Sequence, residues 1–189
     1  MLPDFLSHYY DASTGPFRSL TDLDPLAAES LQESIRATRK EFFASRRKSD
    51  YVEVRREIES RVRQLFTRKG GRPRRLRPLY AVLGSCPWLL DWYPNGRELR
   101  VPLARLSPEV VSFTYGDTFP AMRIEDEMPF RGQVYTLAEL PDLIDRFGLP
   151  QEVNPDGRRG PERYVEAQIW SDELSYSIES LAAESTAPY

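Results

Sequence analysis

DYVEVRREIESRVRQLFTRKGGRPRRLRPLYAVL, residues 50–83, changes its hydrophobic period half way along. Tyr51, Val54, Ile58, Val62 and Leu65 recur at steps of three, four, four and three, which is one stripe of an amphipathic helix. Asp50 and Glu53 precede that stripe at capping-box-like spacing, and Gly70 and Gly71 end it. The opposite face bears Arg55, Arg56, Glu59 and Arg63, partly interleaved at ion-pair spacing, and is expected to be solvated. After Pro78 the run LYAVL, residues 79–83, is rich in residues that favour strands. A helix, a basic connection and a strand therefore follow one another, and the rest of the chain extends this order in both directions.

Upstream, Asp24 before Pro25 reads as an N-cap followed by proline at the first helical position, and Leu31, Ile35, Thr38 and Phe42 continue an inward stripe. This predicts a first helix near residues 25–43, so that the first third of the chain is helical. Downstream, residues 88–93, 98–103, 110–115 and 133–135 form further β-rich runs, with Pro94, Asn95 and Gly96 marking a hairpin turn. TLAELPDLIDRFGLP, residues 136–150, predicts another helix. Thr136 and Glu139 are its capping box, Leu137, Leu140, Ile144 and Phe147 its apolar face, and Gly148 its stop, while Pro141 either sacrifices one early backbone bond or marks a slightly later start. A polar loop at 150–162 leads to RYVEAQIW, residues 163–170, which alternates like a half-buried strand. The expected fold is a single α+β domain over residues 1–176: N-terminal helices, a mainly antiparallel or mixed sheet and one further helix, followed by a loosely attached tail at 177–189.

At 189 residues, with 40% hydrophobic side chains and 22 aromatics, the chain can build one core. Its single cysteine, Cys86, allows no intramolecular disulfide, and its single histidine, His8, allows no Cys/His zinc site; no metal is expected. The start MLPDFLSHYY lacks the basic and apolar regions of a signal peptide, which predicts a cytoplasmic protein without a membrane partner. The consecutive acids Glu125, Asp126 and Glu127 suit an exposed loop better than a metal site, because successive side chains do not converge. No Walker or dinucleotide glycine motif is present.

Charge is strongly segregated. Residues 36–77 hold 16 of the 26 Lys and Arg residues and only 5 of the 29 acids, a local balance of +11 inside a chain of net charge −3. Within it, RKGGRPRRLRP (68–78) sets six basic residues in a glycine- and proline-rich frame suited to phosphate. The segment resembles the AT-hook pattern, yet that motif needs arginine on both sides of its glycine, and here only Arg72 and Pro73 follow Gly70 and Gly71. The expected function is therefore general nucleic-acid or polyanion binding through Arg61, Arg63, Arg68, Lys69, Arg72, Arg74, Arg75 and Arg77, with no cofactor. Two bland alternatives stand beside it: a solvated basic segment balanced by the protein's own acidic half, and an interaction module that joins an acidic protein surface or a second copy of itself.

LPDFLSHYY, GPFRSLTDL, RPLYAVLG, VSFTYGDTF, GQVYTLAEL and RYVEAQIW resemble segments of an uncharacterised family of bacterial cytosolic proteins of similar length. No activity is attached to that family, so the resemblance implies origin and size but no site residues. A second resemblance concerns order alone: His8, then Ser112, then Glu166 is similar to the arrangement of ADP-ribosyltransferase-like folds. It implies that His8 and Ser112 hold NAD and that Glu166 is catalytic. The sequence departs from that pattern with SFT in place of a hydroxyl-rich STS and EAQ in place of paired glutamates. From alternation alone, Tyr164, Glu166, Gln168 and Trp170 share one strand face and Ser112 and Thr114 another, so Tyr164, Gln168, Trp170 and Thr114 are candidate pocket residues. Trp88, Trp92 and Trp170 are better explained as core or surface packing, Cys86 as a small apolar residue, and His8 beside Tyr9 and Tyr10 as a partly buried, hydrogen-bonded aromatic cluster.

Overall fold

The computed structural model describes residues 2–38 and 47–174. Five antiparallel strands, β1 (Phe5–Asp11), β2 (Leu79–Leu83), β3 (Gly96–Pro102), β4 (Val111–Tyr115) and β5 (Val165–Ile169), form one sheet in the order β3-β1-β2-β5-β4. Its helices are α1 (Pro25–Thr38), α2 (Tyr51–Arg68), the single turn α3 (Thr118–Ala121), α4 (Leu140–Phe147) and α5 (Pro150–Val153). The fold is α+β, as the change of period predicts.

The sheet is covered on both faces, and the two faces differ in chemistry. Leu79, Ala81 and Leu83 of β2, Val111 and Phe113 of β4, and Val165, Ala167 and Ile169 of β5 form the main core with Leu140 and Leu143 of α4. The alternate residues, Tyr80, Ser112, Thr114, Glu166 and Gln168, point to the other side, where α2 lies. Helix α2 is anchored there by Ile58, Val62 and Phe66, which pack on Trp170, Met122 and Val134. β5 is thus buried on both faces, not half-buried; five consecutive buried residues include two polar ones. Gly71 follows α2 because the Phe66 ring occupies the space of a side chain there: an added Cβ would lie 2.5 Å from it.

Several expectations need correction. Residues 5–11 are a strand, not part of a helical first third. Residues 87–92 form a 3-10 helix, PWLLDW, with Pro87 in its first turn, so the turn at Pro94–Gly96 leads from a helix into β3 and closes no hairpin. Residues 133–135 form no strand, although Tyr135 exchanges two backbone bonds of 2.8 Å with Phe113 and covers the β4 edge. In α1, Asp24 does cap, accepting from Ala27 N at 3.0 Å. The inward side of that helix, however, is Ala28 and Gln32, while Leu31 is 44% exposed. Asp50 makes no side-chain cap bond. The Thr136–Glu139 capping box is present, and α4 starts one residue before Pro141 and stops at Gly148, whose φ of +77° needs glycine. The 39–43 end of the expected first helix and the 177–189 tail lie outside the described residues. Among the described residues, no helix is long and apolar enough to cross a membrane.

Candidate functional site

On the polar side of the sheet the strand register sets Gln168 opposite both Tyr80 and Ser112, and Glu166 opposite Thr114. Their side chains form a closed hydrogen-bond net. Trp170 Nε1 donates to Ser112 Oγ at 2.9 Å, and Ser112 Oγ donates to Gln168 Oε1 at 2.8 Å. Gln168 Nε2 then donates to Thr118 Oγ1 at 2.7 Å and to Thr114 Oγ1 at 3.1 Å. This net fixes the turn after β4, and the turn in turn supplies the site: Thr118 N donates to Glu166 Oε2 at 2.8 Å. Asp117, the N-cap of α3, accepts from Phe119 N at 2.7 Å and from Tyr164 OH at 3.0 Å.

Helix α2 adds Arg55 and Glu59, one turn apart, to this surface. Arg55 reaches three carboxylates: its Nε lies 3.7 Å from Glu59 Oε1, Nη1 3.6 Å from Asp117 Oδ1, and Nη2 3.7 Å from Glu166 Oε2. These separations exceed the roughly 2.7–3.2 Å of a direct N–H···O bond, so charge rather than bidentate pairing holds the guanidinium. It also lies over the Tyr80 ring, 4.2 Å from the centroid. Glu59 is anchored from behind, accepting from Tyr80 OH at 2.9 Å and Thr21 Oγ1 at 3.0 Å, with Arg77 Nε at 3.8 Å.

Among the described residues, two guanidinium groups thus face three carboxyl groups, a net of one negative charge with all five ionised. Burial, with the Asp117 charge adding to it, lifts Glu166 from its ordinary 4.5 to about 7; Arg55 and the Thr118 N–H oppose this. Glu59 is also raised, by burial, against the pull of Arg55 and the Tyr80 hydroxyl. Burial works against the Arg55 charge too, but the surrounding tyrosines and carboxylates more than offset it and keep Arg55 protonated. Burial thus favours the protonated form of Glu166. The Asp117 side chain, 27% exposed against 9% for Glu166, is where the cluster meets solvent. Partly exposed Tyr51 and Phe119, stacked at 5.5 Å, and Tyr93 stand around it.

His8 does not join Glu166 and Ser112. Alternation along β1 places it with Leu6 on the main-core side, where its ring stacks on Phe17 at 4.4 Å. Its Nδ1 donates to Tyr80 O at 2.7 Å, since a carbonyl can only accept, and its Nε2 accepts from Phe17 N at 2.9 Å. Both ring nitrogens are used, and burial lowers its pKa from 6.5 to about 4. A depressed pKa stabilises the fold above pH 6.5 and withdraws that contribution, about 3 kcal/mol, as pH falls toward 4. We expect the 15N resonances of this single histidine to report the neutral Nδ1–H form at pH 6; a ring half-charged near 6.5 would contradict the assignment.

Ser112 is buried within the net described above, as are Thr114 and Gln168. Tyr164 orients Asp117, whereas Trp170 is fully buried under α2 and offers no face to a ligand. Arg55 and Glu59, expected to be solvated, are instead buried at the centre of the site. Asp117 and Thr118 carried one sequence signal, a capping pair immediately after the strand-and-glycine run VVSFTYG.

The basic residues are largely engaged by the protein itself. Arg75 pairs with Asp22 and Asp172, Arg74 with Glu173, Arg72 with Glu109 at 3.2 Å and Lys69 with Glu139 at 2.6 Å. Arg63 donates to Arg75 O and Pro73 O, Arg61 to Met122 O, and Arg77 to Arg56 O and Ser60 Oγ; Arg68 is exposed in the last turn of α2. Among the described residues, no group of three or more His, Cys, Asp or Glu side chains is arranged to hold a metal ion. No protein-family profile matches this chain, and no curated protein or solved structure matches it.

Proposed function

We propose that this protein is an enzyme whose chemistry runs through Glu166, with a developing positive charge as the species its site stabilises. The observation that carries this is Glu166 itself, a buried carboxyl raised to about 7 and held between Arg55, Asp117 and the Thr118 N–H. The carboxylate that Glu166 becomes on losing its proton favours a cationic centre such as the oxocarbenium-like carbon of ribosyl or glycosyl transfer. NAD is accordingly the first substrate to test. His8 and Ser112 have no part in this reading, because their polar atoms are already paired inside the fold. Arg55 holds the carboxylates in place, and Asp117 is the most exposed acid of the three. The experiment is to incubate the protein with NAD between pH 5.5 and 8.5 and follow nicotinamide release. Release should rise through a single ionisation near pH 7, as Glu166 becomes a carboxylate. No release at any pH, with no NAD binding by calorimetry, would reject ribosyl transfer.

A second reading, polyanion binding, is favoured by one feature. The extended segment after α2 is pinned by its backbone, Arg72 N to Glu109 O and Arg74 N to Trp170 O, while the Arg72 and Arg74 side chains are 80% and 61% exposed. Arg75 is held in two ion pairs and is a poor choice for a test. Replacing Arg72 and Arg74 by Ala should weaken binding to short DNA and RNA equally and lower the salt slope by about 2. An unchanged slope in fluorescence anisotropy would remove these arginines from any such surface.

A further inference from the structure

The two edges of the sheet are treated differently. Tyr135 bonds to Phe113 along the β4 edge. β3 pairs with β1 on one side, and among the described residues no strand or bridge lies on its other side. The ladder shows which groups that leaves. Ala12 N donates to Asn95 O at 2.9 Å and Leu103 N to Asp4 O at 2.8 Å, at the two ends of the β1–β3 register. Residues that bond to a given neighbour alternate along a strand. Arg97, Leu99 and Val101 therefore turn their backbone groups toward β1, and Gly96, Glu98, Arg100 and Pro102 turn theirs outward. Among the described residues, no group bonds to the N–H or C=O of Glu98 or Arg100. The 3-10 helix at 87–92 lies over a sheet face rather than beside this edge, since it is a Cβ on Gly96, pointing out of the sheet plane, that would meet Leu90 O at 2.4 Å.

An open edge is a template for pairing with another chain, and charges placed on it commonly prevent this. The charges of β3 select a register instead. With β3 set antiparallel to itself, the neighbouring registers bring Glu98 onto Glu98, Arg100 onto Arg100 or Arg97 onto Arg97, like charges opposed. The register centred on Leu99 sets Glu98 of each copy opposite Arg100 of the other and Arg97 opposite Val101. It also gives every outward donor an acceptor: the N–H groups of Gly96, Glu98 and Arg100 meet the carbonyls of Pro102, Arg100 and Glu98 of the second copy. Pro102, which has no N–H to offer, falls at the end of the ladder. Leu99, half-buried against the main core, meets Leu99 of the second copy across the two-fold axis. That pair is of the non-hydrogen-bonded kind, in which side chains lie closest.

We propose that the open edge of β3 is a homodimer interface, at which two copies pair antiparallel about Leu99 and join their sheets into one. β1 and β2 separate β3 from β5, so the Glu166 site stays clear of it. One strand pair falls short of the roughly 1,200 Å² of a standard interface, so the dimer is weak and depends on concentration. Sedimentation equilibrium from about 10 μM to 1 mM should show monomer passing to dimer and no larger species, because a two-fold pair uses up the edge. Amide hydrogen exchange on the same samples locates the contact. The Glu98 and Arg100 amides should exchange about tenfold more slowly in concentrated than in dilute protein, while those of Leu99 and Val101, already bonded to β1, change less. Arg100→Glu, at an exposed side chain, should weaken dimerisation about tenfold. Mixing it with Glu98→Arg should restore a dimer, because each variant supplies the charge that the other lacks. A monomer across the whole range would overturn the proposal, as would a dimer that leaves the Glu98 and Arg100 amides unprotected or that Arg100→Glu does not weaken. The wild-type exchange measurement stands by itself if a variant fails to fold.

Discussion

Exchange of Arg55 for Leu is expected to destabilise the folded protein by about 3–5 kcal/mol near pH 8, the range for removing one member of a buried charge cluster. The effect has a specific origin. Glu59, Asp117 and Glu166 each lie 3.6–3.7 Å from this one guanidinium, and without it three carboxyl groups share a desolvated space with only Arg77 in reach of Glu59. The deficit should shrink on acidification. Arg55 lowers the pKa of both Glu59 and Glu166, so in its absence both groups take up protons at higher pH, and a neutral acid has less need of a cation. Urea unfolding of wild type and Arg55→Leu at pH 8 and pH 5.5 measures this directly. A loss below about 1 kcal/mol at pH 8, or one that grows on acidification, would show that the cluster is solvated rather than buried.

Glu166→Gln should separate activity from stability. As the group that carries the chemistry, Glu166 contributes on the order of 10²–10⁴-fold to turnover, and the variant should lose nicotinamide release to that extent. Stability should move the other way. The folded protein raises Glu166 from 4.5 to about 7, so it favours the neutral acid. That contribution is complete below pH 4.5, diminishes as pH rises, and is gone above 7. Gln cannot ionise, and its amide oxygen can still accept from Thr118 N. At pH 8 the variant should therefore be more stable than wild type by about 1–3 kcal/mol. A variant that is inactive and unstable at pH 8 would mark Glu166 as a structural anchor.

His8 gives stability an opposite slope. Its neutral form is favoured, so stability falls as pH drops from 6.5 toward 4, the range over which protonation of Glu166 increases it. The two groups lie on different sides of the sheet and should titrate independently, and because their windows overlap their opposite slopes largely cancel, leaving stability nearly flat between about pH 4.5 and 6.5.

Elements with a clean period were readable from the chain. Helix α2 shows Ile58 and Val62 at the centre of its buried side, β2 was placed to the residue, and α4 was bounded by Thr136, Pro141 and Gly148. Strand β1 was not readable, because FLSHYYD mixes polar and aromatic residues on both sides and has no apolar alternation to recognise. PWLLDW has strand-like aromatic content, yet Leu89 N bonds to Cys86 O and Pro87 starts a tight helix. The site followed the same logic. Glu166 stood out because an acid inside an apolar strand is conspicuous. Arg55 and Glu59 did not, because charges beside a helix stripe normally face water. Each lies one position past a stripe residue, Val54 or Ile58, and the helix is rotated enough to bury them. That rotation depends on what the sheet offers opposite, namely Tyr80, Thr118 and Asp117, which local sequence does not encode.

The most direct test is a carbon-13 NMR titration of the glutamate side-chain carboxyls from pH 4.5 to 9, with the Glu166 signal assigned by its absence in Glu166→Gln. A midpoint near 7, shifted upward in Arg55→Leu, is the expected result and would establish a proton-exchanging carboxyl at the centre of the cluster. A midpoint near 4.5 would contradict it, leaving Glu166 ionised throughout the range of the nicotinamide assay with no titration near pH 7 for release to follow.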